Sequence, residues 1–349
     1  MTIKSKILKK IKRRKLVVGC IIITVCLTVL NANLGGDLNF IHWGPVTNIS
    51  CHYVDNNNVL PELGDGVGYK PPPRSIFFHE TSCEGNLTSR QACAIESAAR
   101  AHHDWYIHVL FSSPISKAAL KDGSIKELQT FKNVKLMRVN IKDYAVGTPL
   151  EEFVLEGSLN KSEWRVEHTS DVLRYLTLYK WGGVYMDLDV VVARSIASLA
   201  RNWAARESDQ YVASGILAFS RDAVGRNIAD ATVRDIGSNF RGDVWYNNGP
   251  GVISRVLKDI CSTTDASVMS SATCNGFEVY GPQFFYPVSY DRSKVYFKAG
   301  DLDLQNVYVY HLWNHITKKF KVQKGSPYAK LAKRYCPTIF NLYGDDFGN

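Results

Sequence analysis

Short apolar runs and longer stretches of helical period alternate along the middle of this chain. Ser75 to His79 (SIFFH) is a short apolar run, Gln91 to His102 is alanine-rich and helical in character, and Trp105 to Phe111 (WYIHVLF) predicts a strand. A helical stretch over Ala118 to Thr130 is followed by a third strand, Val134 to Ile141. Further on, Tyr211 to Phe219 predicts a strand and Val252 to Ile260 a helix. Alternation of this kind predicts an α/β fold with a mainly parallel sheet, in which ligands sit at the carboxyl ends of the strands.

The N-terminal region follows a different pattern. Leu16 to Leu30 (LVVGCIIITVCLTVL) holds neither charge nor proline, and Asn31 to Leu34 extend it without adding charge. Residues 16–34 are therefore expected to be a transmembrane signal-anchor, since a cleaved signal peptide would need a small-residue cleavage site that Asn31-Ala32-Asn33-Leu34 does not provide. The tail before it, 1–15, carries eight Lys and Arg residues and no acid, which is expected to hold that end in the cytosol and direct the remainder into a lumen. Residues 35–74, rich in Asn, Gly and Pro and ending in Pro71-Pro72-Pro73, are expected to be a stem, and 75–349 the lumenal catalytic domain.

Charge and cysteine content refine this picture. The formal net charge is +9, but without the tail 34 basic residues face 33 acidic ones, so the high pI describes the tail and not the body. No basic face with interleaved aromatics is present, and nucleic-acid binding is excluded. Sequons at Asn48, Asn86 and Asn160 predict glycosylation in a lumen. Cys20 and Cys26 lie inside the apolar run. The other six, Cys51, Cys83, Cys93, Cys261, Cys274 and Cys336, form an even set suited to disulfides, with Cys83–Cys93 and Cys261–Cys274 expected as short loops.

The chemistry is concentrated between Ser170 and Val192, SDVLRYLTLYKWGGVYMDLDVVV. Ser170 is expected to cap a helix whose first turn holds Asp171, and Gly182-Gly183 to end it. A strand from Val184 to Val192 would then place Asp187 and Asp189 on one face. Two carboxylates sharing one face repel each other unless a cation compensates, and oxygen ligands favour magnesium or manganese over zinc, the metal's shell completed by phosphate oxygens. Asp171 and Arg174, three residues apart, share a helix face and are brought toward the pair by the glycine turn.

The pattern S-D-x-x-R-Y-x-x-L-x-x-x-G-G-x-Y-x-D-x-D resembles the sugar-binding region of the D-x-D-containing glycosyltransferases, in the branch of lactosylceramide 4-alpha-galactosyltransferase and alpha-1,4-N-acetylglucosaminyltransferase. The segment Ile76 to Ser82 looks like that family's first strand. Gly249-Pro250-Gly251, Phe284 to Pro287 and His311 to Asn314 match later segments, so the resemblance spans nearly all of Ser75 to Tyr335. One departure is Ala213-Ser214-Gly215, where the family often has Asn-Gly.

The resemblance implies an A-type glycosyltransferase fold, Rossmann-like, and a retaining UDP-sugar-dependent hexosyltransferase of the Golgi membrane, single-pass and type II. Galactose or N-acetylgalactosamine would be transferred in alpha-1,4 linkage to a glycosphingolipid. Transfer of N-acetylglucosamine to glycoprotein glycans and a non-catalytic lumenal sugar-binding protein are the alternatives. By the same resemblance Asp189 binds the metal, Asp187 contacts it through water or contacts the ribose, and Asp171 and Arg174 hold hydroxyls of the transferred sugar. His311, Trp313 and Asn314 close over the diphosphate. No nucleophile stands out, and front-side substitution needs none.

Overall fold

The computed structural model describes residues 49–54, 59–64 and 68–349. A seven-stranded sheet runs in the order β3-β2-β1-β4-β7-β6-β8, with strands β1 (Ser75–Glu80), β2 (Tyr106–Phe111), β3 (Val134–Arg138), β4 (Gly183–Met186), β6 (Trp203–Arg206), β7 (Val212–Phe219) and β8 (Glu278–Tyr280). β1 to β4 are mutually parallel, β7 runs antiparallel to both β4 and β6, and β8 is parallel to β6. The expected mainly parallel α/β sheet is thus present, with a reversed strand inserted beside β4. Two further strands, β5 (Val190–Val192) and β9 (Val309–His311), form a separate antiparallel ribbon.

Successive strand residues feed opposite faces, and each face has its own core. Ile76 and Phe78 pack with Val109, Phe111, Ile95 and the C-terminal elements; Phe77 packs with Leu173, Leu176, Leu217 and Ile253 on the other side. The Ser89–Ala101 helix lies on the first face and starts with a capping box between Thr88 and Gln91. The Arg165–Trp181, Ala223–Asn239 and Pro250–Cys261 helices contribute to the second.

Three local expectations are corrected. The helix carrying Asp171 begins at Arg165, not after Ser170. Ser170 Oγ contacts Arg174 and Tyr185 and is not used as a cap, while His168, in the added turn, is satisfied by Ser162 and Trp245. The single strand expected from Val184 to Val192 is two: the chain leaves the main sheet at Asp187, turns through Leu188 and Asp189, and joins β9. The third strand ends at Arg138, and Ile141 opens a short helix capped by Asn140.

The cysteines pair as Cys51–Cys83, Cys93–Cys336 and Cys261–Cys274. Only the last was expected. Cys93 lies on the buried side of its helix, where it meets the C-terminal helices, and Cys83 sits in the loop after β1 beside the Ser50–Tyr53 turn. Within 35–74, the described residues pack on the body: Leu60 and Leu63 are buried, and the buried Arg138 guanidinium donates to the carbonyls of Cys51 and Val54. Among the described residues no helix is long and apolar enough to cross a membrane; the 16–34 segment, the basic tail, Cys20, Cys26 and Asn48 lie outside them. Asn86 and Asn160 are exposed.

Candidate active site

The site forms where the sheet changes direction. β4 ends beside β1, whose crossover leads to β2, and beside the reversed β7, so its carboxyl end opens on a crevice flanked by diverging connections. The glycine pair sets the angle of entry. Gly182 (φ +60°) and Gly183 (φ +95°) adopt backbone disfavoured for residues with a Cβ, and a Cβ on either would press on the carbonyls of Phe219 or Ser75. The Arg165–Trp181 helix thereby folds directly back along β4, bringing Asp171 and Arg174 to Asp187.

Arg174 is the hub. Its guanidinium lies 3.0 Å from Asp171 Oδ1 and 3.4 Å from Asp187 Oδ1, donates to the Ser214 carbonyl (3.0 Å) and hydroxyl (2.9 Å), and stacks over the Tyr185 ring. Burial opposes its charge, but Asp187, Tyr185 and Asp171 outweigh burial and hold it protonated. Tyr185 donates its hydroxyl to Asp187 Oδ1 at 2.6 Å. Burial pushes the Asp171 carboxyl up to about 7 against the pull of Arg174.

The two aspartates of the D-x-D triplet converge through a turn and not through strand periodicity. The Asp187 N–H donates to the Gly215 carbonyl at 2.8 Å, the last bond that keeps it on the main sheet. Val190 pairs with His311 across the ribbon, and Leu312 N–H donates to the Asp189 carbonyl, which fixes Asp189 against the start of the C-terminal segment. His311 Nε2 lies 3.7 Å from Asp187 Oδ2 and 3.4 Å from Asp189 Oδ1. Asn314 contributes its backbone N–H, 2.6 Å from Asp189 Oδ2, and its side chain is exposed. Trp313, in left-handed conformation (φ +56°), donates its indole N–H to the Val288 carbonyl, so it can wall the site but has no donor to spend there.

One ligand atom from each of Asp187, Asp189 and His311 falls within 4.8 Å of the others, a donor set of two carboxylates and one imidazole that suits a divalent cation. Without one, the imidazole is the available counter-charge. Burial disfavours protonating it, yet Asp189 and Asp187 prevail and raise it above its ordinary value. Burial lifts Asp189 above the usual carboxylate range. Burial also works against charge on Asp187, but Arg174 and His311 hold that carboxyl below the range.

Several residues here carried no usable sequence signal alone. Gly215 is extended, but a Cβ there would lie 2.8 Å from Asp187 Oδ2 and 3.1 Å from His311 Nε2, so the departure from Asn-Gly keeps the glycine that closeness requires. Gly249 passes so near Asp171 that any Cβ would collide with its carboxylate, and its carbonyl accepts from Tyr175 at 2.7 Å. The Tyr286 hydroxyl is buried near the same cluster with no hydrogen-bond partner among the described residues, and Glu207 is half-buried within reach of the His311 charge.

Known proteins align over these same segments. Residues 88–209 match the family described as "Glycosyltransferase sugar-binding region containing DXD motif", and residues 222–343 match "Alpha 1,4-glycosyltransferase conserved region". The chain is 30% identical over 275 residues to lactosylceramide 4-alpha-galactosyltransferase of Rattus norvegicus, covering 76% of this chain and 75% of that protein. It is 28% identical over 278 residues to human alpha-1,4-N-acetylglucosaminyltransferase, covering 76% and 80%. The galactosyltransferase LgtC, solved with donor and acceptor sugar analogues, is 16% identical and superposes at a TM-score of 0.40 over 74% of this chain and 95% of its own. With both halves of the site inside matched regions, the chain belongs to the D-x-D-containing alpha-1,4-glycosyltransferases and is a hexosyltransferase.

Proposed function

We propose that this enzyme moves galactose or N-acetylgalactosamine from a UDP-sugar, with retention, in alpha-1,4 linkage to the sugar headgroup of a glycosphingolipid. The observation that carries it is the charge imbalance at the carboxyl end of β4: Asp171, Asp187 and Asp189 converge on one permanent cation, Arg174, and one histidine. Such a cluster suits a bound divalent cation together with a polyol and a diphosphate. The match to galactosyltransferases over three quarters of the chain supports the donor and linkage.

Asp189, Asp187 and His311 would hold manganese, which when bound neutralises the developing charge on the departing UDP. The chain's own residues supply position. The nucleotide would lie along the loops after β1 and β4, on either side of the direction change. Asp171 and Arg174, fixed by Gly249 and Ser214, would accept and donate to hydroxyls of the transferred sugar and hold its anomeric carbon toward the acceptor. Asn314 and Trp313 would close the diphosphate side. Residues 1–15 and 16–34 would hold the enzyme in the Golgi membrane as a single-pass type II protein, and 35–74 would link that anchor to the lumenal body, on which its described residues pack.

The test is UDP release from a panel of UDP-sugars, with lactosylceramide and with free glycan acceptors, with and without chelator. Manganese-dependent use of UDP-galactose or its N-acetyl form is expected. Selective use of UDP-N-acetylglucosamine would move the enzyme to the other branch, the second reading that its relatives support. Failure with every donor would refute the assignment.

A further inference from the structure

Beside the cation cluster lies a second group of side chains that the donor chemistry leaves unused. Trp245 stacks on His315 with ring centres 4.3 Å apart, and Trp164 meets His315 edge-on at 5.9 Å. All three rings are half-buried. They come from three separate segments, each continuous with the site. Trp164 immediately precedes the helix that carries Asp171 and Arg174; Trp245 lies four residues before Gly249; His315 follows Asn314, whose N–H binds Asp189.

The loops bearing the tryptophans are rigidly built. His168 donates from Nε2 to the Trp245 carbonyl at 3.2 Å and accepts at Nδ1 from Ser162 Oγ at 2.7 Å, and the same Ser162 oxygen receives the Trp164 N–H at 2.9 Å. Glu163 N–H donates to the Gly242 carbonyl, and buried Asn248 bridges both backbone groups of Arg241. Packing alone would not require an indole N–H to go unmatched, yet Trp245 Nε1 is buried with no hydrogen-bond partner among the described residues. Tyr246, next in sequence to Trp245, is 52% exposed, and its ring lies 6.5 Å from that of Tyr211, which is 42% exposed.

We infer that Trp164, Trp245 and His315 form the platform on which the acceptor's terminal sugar lies, with Tyr246 and Tyr211 continuing the surface for the next residue of the glycan. A pyranose has one face of C–H groups and a polar rim. A half-exposed aromatic wall binds that face, while the rim reaches the polar groups around Asp171 and Asn314. The platform rests on the sugar-transfer reading above and deepens it, because it places the acceptor on the side of the site bounded by residues 164, 245 and 315.

The experiment uses the full chain in detergent micelles with manganese, UDP-galactose and lactose. Trp245→Ala is expected to raise the acceptor KM at least tenfold while the UDP-galactose KM stays within about twofold, and Trp245→Phe to recover most of the difference. Trp164→Leu, which retains bulk, is expected to raise the acceptor KM about fivefold and covers the case in which Trp245→Ala does not fold. An unchanged acceptor KM, or equal rises in both KM values, overturns the platform. If the unaltered chain transfers nothing from UDP-galactose, that donor assignment fails, and the platform is judged on lactose alone by NMR saturation transfer. Signal from the unaltered chain that falls at least fivefold in Trp164→Leu and is largely kept in Trp245→Phe supports it, and no signal from the unaltered chain, or a signal unchanged in Trp164→Leu, overturns it.

Discussion

Two buried polar clusters both meet the Tyr185 ring. In one, His79, Thr177, Tyr144 and Trp181 form a chain of neutral hydrogen bonds: His79 Nε2 to Thr177 Oγ1 at 2.9 Å, Tyr144 to Thr177 at 3.0 Å, Trp181 Nε1 to Tyr144 at 2.9 Å. The other holds Arg174, three aspartates and His311. Burial is similar, but the responses to it differ. Desolvation drives His79 down to about 3, so that cluster stays uncharged, with His79 Nδ1 left unpaired among the described residues, whereas the aspartate cluster keeps the charge on Asp187. A buried polar cluster that stays neutral marks structure; one that retains charge marks a ligand.

The comparison predicts a graded set of failures. Asp189→Asn keeps the shape of the site and removes a negative ligand, so turnover should fall about 10⁴-fold, or some 5 kcal/mol of barrier, with little change in unfolding. Activity measured with and without chelator checks this, and an active variant would reduce the triplet to a solvated turn. Arg174→Met should instead cost stability, about 3–5 kcal/mol in urea unfolding, because it strands Asp171 and Asp187 without their counter-charge. Adding Asp171→Asn to Arg174→Met should recover part of that loss.

Acid probes the neutral histidines directly. His79 is held near 3, and His52, His108 and His168 near 4, all by burial, while an unfolded chain protonates its histidines near 6.5. The folded pKa values are lowered, so the unfolded state binds more protons as pH falls. Stability should be fully present above pH 6.5 and decline down to about pH 4, by about 1.4 kcal/mol per pH unit for each group still titrating. A flat profile over that window, followed by urea midpoints, would contradict the neutral assignment. The smallest effect belongs to His79→Phe, which should cost about 1 kcal/mol and leave turnover within about threefold.

Much of this was legible in the chain, though not always for the right reason. Apolar runs located β1, β2 and β7 because those strands, exposed Tyr106 apart, are buried throughout and leave a continuous signal. The aspartate triplet was visible for its residue types, but its convergence depends on His311, 122 positions after Asp189, pairing across a ribbon that no local period announces. Ser170 was misread because a serine before an apolar stretch looks like a cap whether its hydroxyl faces the helix end or, as here, Arg174 and Tyr185. Gly215 and Gly249 stood in segments that the family resemblance singled out, but no local pattern shows why they must be glycine. Their necessity lies in what sits opposite them across the fold.

The Cys93–Cys336 disulfide carries a consequence in time. Its partners are separated by 243 residues, so a ribosome adding roughly 5–20 residues per second leaves Cys93 waiting about 12–50 seconds for Cys336 to be made. Cys83 emerges only ten residues earlier, and Cys51 is already out. During synthesis the early native choice is therefore Cys51 with Cys83, and its prompt closure protects Cys93 from the nearest wrong thiol. A chain lacking Cys51 would pass through the same interval with Cys83 and Cys93 both free, and should accumulate the 83–93 bridge as a trapped species that only disulfide exchange can release.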